Sequence, residues 1–147
     1  MRQKSEAQKY LEQVEKIDTI IRNKLIEKQQ WKDIALGITA SGEGHFVQSS
    51  GSQSKMADAL NKCMDVEREI DEYVDKLIDI KREVTATIEQ LDSPYDYRLL
   101  HKRYIQYINL IDIAAEWGTD YSTITTAHGR ALAHVQEILD RRNTSER

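Results

Sequence analysis

A seven-residue hydrophobic repeat in the middle of the chain constrains the fold more than any other feature of the sequence. Its first line recurs every seven residues, at Met56, Cys63, Ile70, Leu77, Val84 and Leu91. A second line follows three residues after each of the first five, at Ala59, Val66, Tyr73, Ile80 and Thr87. Two such lines form the seam of a coiled coil. The repeat predicts one helix from about Ser54 to Leu91, on the order of 55 Å long.

A helix with so long an apolar seam needs a partner, and an upstream segment from about Ser5 to Leu36 can supply it. Its apolar residues step by three and four, the spacing of one helical face. They are Leu11, Val14, Ile17, Ile21 and Leu25, followed after an interruption at Lys28 by Trp31 and Ile34. A stretch rich in Gly and Ser at about residues 37–53 predicts a loop between the two segments. We therefore expect residues 1–92 to form an antiparallel helical hairpin.

The second helix has more apolar surface than one partner helix covers. Leu60, Val74 and Ile88 form a further apolar line beside the seam. This line favours a homodimer through the hairpin. The alternative is a hairpin that packs only on itself and acts as a spacer for the C-terminal domain.

The only proline of the chain marks the start of a second domain, at residues 93–147. Ser93 as N-cap, Pro94 at the first helical position and Asp96 three residues after the cap form the signature of a helix start. Three helices are predicted here, the first running to Ile108, the second holding Leu110 to Trp117 and the third Tyr121 to Leu139. The expected fold is all-α: a long antiparallel helical hairpin followed by a small C-terminal helix-turn-helix domain.

The last two helices have helix-turn-helix spacing. Ala114 is a small residue where two helices cross closely, and Gly118 stands four residues later, where the turn needs a positive φ. Ile124 is expected on the buried face of the second helix, and Asp120 or Ser122 can cap that helix. The same spacing also occurs in ordinary three-helix packing modules, which are the alternative to a DNA-binding unit.

If this unit binds duplex DNA, the second helix lies in the major groove with its first residues at the base edges. The side chains expected there are Tyr121, Ser122, Thr123, Thr125 and Thr126, with His128 and Arg130 further along. A threonine can donate a hydrogen bond to a base or touch a thymine methyl group. Candidates for phosphate contacts are Lys102, Arg103, Arg130, Arg141 and Arg142. The last two are equally consistent with a solvated C-terminal tail.

The charge balance gives a DNA interface little support. Residues 1–92 hold 14 basic and 18 acidic residues, and residues 93–147 hold seven of each, for a net charge of −4. A monomer should therefore bind DNA weakly, and two copies or a larger protein partner would compensate.

No catalytic, cofactor or metal site is expected. The four histidines and Cys63 lack the spacing of paired metal ligands, and the stretch GEGHFV lacks the Lys-Ser/Thr helix start of a phosphate-binding loop. The carboxylates of the second helix fit a solvated helix face. With a polar N-terminus and no apolar run of roughly 20 residues, we expect a cytoplasmic, non-enzymatic protein that does not enter a membrane.

The stretch RYIQYINLIDIAAEWGTDYSTITTAHGRAL, Arg103 to Leu132, resembles the region 4 helix-turn-helix of sigma-seventy-type RNA polymerase factors. The matching positions are Ile113-Ala114, Gly118, Ser122-Thr123 and Ala131-Leu132. Over roughly residues 5–140 the chain resembles small sigma-like late-gene transcriptional regulators of phages and prophages of Gram-positive bacteria, in particular at VQSSGSQSKMADAL and AHGRAL. The resemblance implies a phage-encoded DNA-binding regulator that acts at promoters in the host cytoplasm, directly on duplex DNA or with RNA polymerase.

The chain departs from the sigma pattern in its recognition residues. Tyr121–Thr126 lacks most of the basic and amide residues with which sigma factors read promoter bases, and the other core sigma regions have no counterpart. Autonomous promoter opening is therefore not expected. Two other classes stay open: a small terminase-like subunit for phage DNA packaging, which would assemble into rings, and an adaptor that contacts RNA polymerase without reading DNA.

Overall fold

A computed structural model describes residues 3–37 and 50–146. The elements of these ranges are α1 (Glu6–Ala35), α2 (Ser50–Ile88), α3 (Pro94–Leu100), a π-helical turn (His101–Ile105), α4 (Leu110–Glu116) and α5 (Tyr121–Ser145). The predicted all-α class, a helical hairpin followed by small helices, is confirmed. Most of the loop predicted at residues 37–53 lies outside the described residues, and α2 begins at Ser50, earlier than the predicted Ser54.

The chain divides into two compact units, and α1 and α2 contribute to both. The hairpin unit comprises residues 17–76, and the helix-turn-helix unit comprises residues 1–16 together with 77–147. This division differs from the boundary expected between residues 92 and 93. The reason is that the N-terminal part of α1 and the C-terminal part of α2 pack into one core with the C-terminal helices.

Within the hairpin unit, the heptad seam of α2 is buried as predicted. Its buried side chains are Ala59, Cys63, Val66 and Ile70. The two helices run antiparallel, because residues further along α1 pair with residues earlier in α2. Lys24 Nζ lies 2.6 Å from Glu69 Oε2, and Lys28 Nζ lies 3.5 Å from Glu67 Oε1.

The stripe predicted on α1 is wrong at Leu25 and Ile34, whereas Trp31 is partly buried as predicted. Leu25 is 49% exposed and Ile34 is 51% exposed. The partly buried lysines Lys24 and Lys28 lie on the packed face in this region. Their ammonium groups reach the carboxylates of Glu69 and Glu67 on α2. A pattern that counts lysine as polar cannot detect this arrangement.

The further apolar line of α2 has two different environments. In the hairpin unit, Leu60 and Val74 are exposed, and Met64 beside them is 52% exposed. Ile88 is fully buried within the helix-turn-helix unit. The line therefore leaves an exposed apolar surface in the hairpin unit only at its first positions.

The first core of the helix-turn-helix unit joins both hairpin helices to the C-terminal helices. Its buried side chains are Ala7, Leu11, Val14, Val84, Ile88, Leu100, Tyr104, Ala131 and Val135. Five of these nine belong to α1 and α2. The C-terminal helices therefore depend on residues of the hairpin helices for much of this core.

One polar contact inside this unit ties three helices together. Thr87 of α2 is fully buried, and its Oγ1 lies 2.8 Å from Tyr10 Oη of α1 and 2.9 Å from Arg142 Nη2 of α5. The hydroxyl donates to the Glu83 carbonyl at 3.0 Å. It accepts from Tyr10 and Arg142, so its hydrogen-bonding capacity is fully used. Arg142 is thus anchored in the fold, and the solvated-tail alternative is wrong for this residue.

The start of α1 is capped from two directions. Ser5 Oγ accepts a hydrogen bond from the Gln8 backbone N–H at 3.1 Å. Gln136 Oε1, on α5, accepts one from the Ala7 backbone N–H at 3.0 Å, across 129 positions of sequence. The first N–H groups of a helix have no partner within it. This end of α1 is therefore completed by α5.

The start of α3 matches its predicted signature. Ser93 Oγ accepts from the Asp96 backbone N–H at 3.3 Å, and Pro94 is the first helical residue. The carboxylate of Asp96 is buried and lies 2.6 Å from His134 Nδ1 of α5. It therefore links α3 to α5, in addition to marking the helix start.

The helix predicted to run to Ile108 ends earlier. It changes to a π-helical turn at His101 and stops after Ile105. Tyr107 then adopts a φ of 62°, which no regular helix tolerates. Ile108 still packs on the core of α4 and α5, from the loop. None of the helices described has both the length and the apolar character needed to cross a bilayer.

Candidate nucleic-acid interface

A second core holds α4 and α5 in helix-turn-helix geometry. Its buried side chains are Leu99, Ile113, Ala114, Ile124 and Ala127, with Tyr95, Ile108, Leu110 and Trp117 packed around them. The predicted buried positions of both helices are confirmed. Gly118 adopts a φ of 61° in the turn, as its position predicted, a conformation that glycine adopts without a steric penalty.

The two helices of this motif begin differently. Asn109 caps α4, since its side chain accepts from the Asp112 backbone N–H at 2.8 Å. Asp120 holds the N-cap position of α5 but makes no side-chain cap hydrogen bond. Ser122 lies inside α5, so neither residue caps this helix with its side chain as predicted. The first N–H groups of α5 therefore have no side-chain partner from Asp120.

The side chains expected at base edges lie together on the first turns of α5. Tyr121, Ser122, Thr123, Thr126 and Arg130 are exposed, and Thr125 is partly buried. His128 is wrong as an exposed candidate. Its Nε2 lies 2.7 Å from Tyr104 Oη, and the two rings stack with centroids 5.7 Å apart.

Two of these threonines have their hydroxyl protons engaged. Thr125 Oγ1 and Thr126 Oγ1 each donate to the backbone carbonyl of Ser122, at 2.9 Å. A threonine hydroxyl has one proton and two acceptor lone pairs. In this state the two side chains can accept hydrogen bonds and make methyl contacts, but they cannot donate.

The predicted phosphate contacts lie in different environments. Lys102 Nζ is 2.8 Å from Glu116 Oε1, and Arg103 Nη1 is 3.6 Å from Glu15 Oε2. The Arg103 guanidinium also lies 5.2 Å from the Tyr104 ring centroid. Such partly exposed ion pairs stabilise by about 0–1 kcal/mol, so a phosphate could displace the carboxylates at small cost. Arg130 and Arg141 are exposed.

Arg98 is a cation that sequence reasoning missed. It is exposed on α3, and its guanidinium lies 6.0 Å from the Trp117 ring centroid. Trp117 in turn packs edge-on against Tyr95, with centroids 5.2 Å apart. Nothing in the spacing of Arg98 and Trp117 predicts this contact, because the two residues belong to different helices.

Exposed carboxylates lower the positive potential of the motif. Asp112, Glu116 and Asp120 lie on α4 and at the start of α5, and all three are exposed. Lys102 pairs with Glu116. Negative side chains beside a recognition helix repel phosphate groups. These carboxylates therefore make the surface around the start of α5 less favourable for an anion.

Tyr104 and His128 form a largely buried titratable pair in the helix-turn-helix unit. Burial lowers the pKa of His128 below its ordinary 6.5, and the Arg103 guanidinium lowers it further, while Glu12 opposes both effects. Burial also raises the pKa of the Tyr104 phenol. Both side chains are therefore uncharged at neutral pH.

The lowered pKa of His128 predicts that the protein loses stability as the pH falls below about 6.5. The unfolded chain binds a proton on His128 from that pH downward, while the folded chain binds it only at the lowered pKa, so protonation favours unfolding. Above 6.5 the contribution is fully present. Urea unfolding midpoints at a series of pH values would measure this. His128→Gln should lose less stability than the wild type over that window, and equal losses would contradict the prediction.

Among the residues described, no cluster of three or more His, Cys, Asp or Glu side chains is placed to hold a metal ion. Cys63 is buried, with its Sγ 3.8 Å from the Lys28 carbonyl oxygen. His45 lies outside the described residues. Comparison of the chain with protein-family models, curated proteins and solved structures finds no match. The resemblance to sigma-like regulators therefore stays a prediction.

Proposed function

We propose that this protein is a DNA-binding transcriptional regulator, phage-encoded and acting at promoters, either directly or with RNA polymerase. The observation that supports this most is the exposed start of α5. Its small polar side chains face solvent while Ile124 and Ala127 fix the helix from behind against α4. Burial on one face and small polar groups on the other is what a helix needs to enter the major groove.

In this proposal the first two turns of α5 lie along the base edges. Ser122, Thr123 and Thr126 meet the bases directly, and Tyr121 contacts the groove wall. Arg130 on α5 and Arg98 over Trp117 contact the phosphates. Lys102 and Arg103 join them by exchanging their carboxylates for phosphate oxygens.

Only a few cationic side chains are available to contact phosphates, so tight DNA binding needs a second copy of the chain or another protein. A homodimer through the hairpin unit would double the number of cationic side chains in one assembly, and the exposed Leu60, Met64 and Val74 offer apolar surface for it. RNA polymerase would serve the same purpose by adding its own DNA contacts. Sedimentation of the full chain separates a dimer from a monomer, and a ring of many copies would indicate the DNA-packaging class instead.

Selection from randomised duplex DNA at low salt tests the proposal. The wild type should enrich one motif, and the Thr126→Ala, Arg130→Ala double variant should lose that enrichment because both exposed groups of α5 are removed. Asn143→Ala is the matched control, since Asn143 is exposed near the far end of the same helix. It should select the wild-type motif. A wild type that enriches no motif would contradict the proposal.

A protein-binding adaptor is the second candidate, and the exposed carboxylates at α4 and α5 favour it. Asp112, Glu116 and Asp120 would suit a basic protein surface better than a phosphate backbone. The salt dependence of DNA binding distinguishes the two candidates. An interface with a few phosphate contacts loses affinity steeply as salt rises. If no salt-dependent binding to duplex DNA is found, RNA polymerase becomes the first partner to assay.

A further inference from the structure

We infer that Thr126 determines sequence specificity by contacting the methyl group of thymine. This inference rests on the proposed function and adds the chemistry of the base that the helix recognises. From sequence alone, each threonine of α5 has two options, donation of a hydrogen bond or a methyl contact. The hydrogen bonds of the folded chain leave Thr126 with only one of them.

The hydroxyl proton of Thr126 is engaged within α5. Thr126 Oγ1 donates to the Ser122 carbonyl at 2.9 Å, one turn earlier in α5. This bond holds Oγ1 against the helix backbone and fixes the side chain in one staggered rotamer. The methyl group then has one fixed direction. Thr126 as a whole is exposed on α5, so a ligand can reach its side chain.

Each base presents different groups to this side chain in the major groove. Guanine presents two acceptors, which need a donor that Thr126 does not have in this state. Adenine and cytosine present amino groups, which need an acceptor, and Thr126 Oγ1 keeps its acceptor lone pairs after it donates to Ser122. Thymine alone presents a methyl group. The bond to Ser122 holds Oγ1 beside the helix backbone, which favours the contact between two methyl groups, and the Thr126→Val variant distinguishes this contact from acceptance of a base amino group.

Thr125 makes the same hydrogen bond to Ser122 but contributes less. Its Oγ1 also donates to that carbonyl at 2.9 Å, and its side chain is partly buried. Ser122 and Thr123 are exposed, and within residues 3–37 and 50–146 their hydroxyl groups make no comparable bond. They remain free to donate to neighbouring bases. The recognition helix therefore combines one methyl-reading position with adjacent positions that can read acceptors.

The test uses the full chain and the duplex that it selects. Each thymine of that duplex is replaced in turn by deoxyuridine, which removes only the methyl group. Burying one methyl group stabilises by about 0.8 kcal/mol, so one replacement should weaken wild-type binding by about fourfold. Thr126→Val keeps the methyl group and should show the same loss. Thr126→Ser keeps the hydroxyl alone and should bind both duplexes equally.

Each other outcome overturns the inference. Equal wild-type affinity for every deoxyuridine duplex would show that no thymine methyl is read. An unchanged loss with Thr126→Ser would assign the methyl contact to another residue. Loss of binding with Thr126→Val, while its thermal unfolding is unchanged, would show that the oxygen accepts a base amino group. If the wild type selects no duplex, the proposed function fails as well, whereas the other outcomes leave it standing.

Discussion

A fragment that begins at residue 93 is expected not to fold, although it contains every helix of the helix-turn-helix. The first core of this unit buries Ala7, Leu11 and Val14 from α1 and Val84 and Ile88 from α2. Without them, Ala131 and Val135 of α5 would face water, as would much of Tyr104. The fragment would retain only the second core, which α3, α4 and the start of α5 form.

The expected loss is of the same order as the whole stability of an ordinary domain. Burying one large aliphatic side chain stabilises by about 1.5–3 kcal/mol, and the fragment lacks four such side chains of the first core as well as Ala7. Small domains are stable by only about 5–15 kcal/mol in total. The fragment also loses the contacts of Thr87 with Arg142 and of Ala7 with Gln136.

Circular dichroism and proton NMR of two purified chains would check this prediction. The fragment of residues 93–147 should unfold without a cooperative transition and show poor dispersion of its NMR signals. A control chain that joins residues 3–16 to residues 77–146 through a flexible linker retains both cores. It should unfold cooperatively. A cooperative transition in the shorter fragment would show that the second core is sufficient.

Ile124→Ala is expected to destabilise the helix-turn-helix by about 2–5 kcal/mol. Ile124 is fully buried, and it packs in a small core with Ile113 and Ala127. Shortening the side chain removes apolar contacts and leaves a cavity that so small a core cannot fill. Ile124→Val removes one methylene and should cost about 0.5–1.5 kcal/mol.

Urea unfolding of these two variants and of Thr123→Ala would measure the series. Thr123 is the adjacent exposed residue, and its substitution should change stability by about 0.5 kcal/mol or less. The graded order Ala, Val, wild type at position 124 would establish cavity formation as the cause. A Thr123→Ala variant as unstable as Ile124→Ala would instead point to a contact of that surface residue.

Periodicity was sufficient to predict the main elements of the fold. The seven-residue repeat located the buried face of α2, since each seam position in the described residues is buried or partly buried. The small residue at 114 and the glycine at 118 located the turn between α4 and α5. These features are local, so the residues that produce them lie within a few turns of one another.

The remaining features depend on contacts between distant parts of the chain. Lys24 and Lys28 are partly buried on the packed face of α1, although charged residues usually lie on the surface. The helix ends at Ile105, Tyr107 adopts a positive φ, and Ile108 packs on the core of α4 and α5, and none of these features is visible in the local pattern of residues. Within the candidate interface, the sequence does not predict that the Thr126 hydroxyl donates to the Ser122 carbonyl. It also does not predict that Arg98 lies over the Trp117 ring. The residue type tells which hydrogen bonds a side chain can form, but only the folded structure shows which of them it already forms within the protein.

The hydrogen bond from Ala7 to Gln136 has a consequence for how the protein is made. Its two residues are 129 positions apart, and a chain grows at about 5–20 residues per second during synthesis. Gln136 is therefore synthesised on the order of 6–26 s after Ala7. During that interval Leu11 and Val14 have no completed core to enter. The nascent chain thus leaves Leu11 and Val14 without their full core until the residues of α5 have been synthesised.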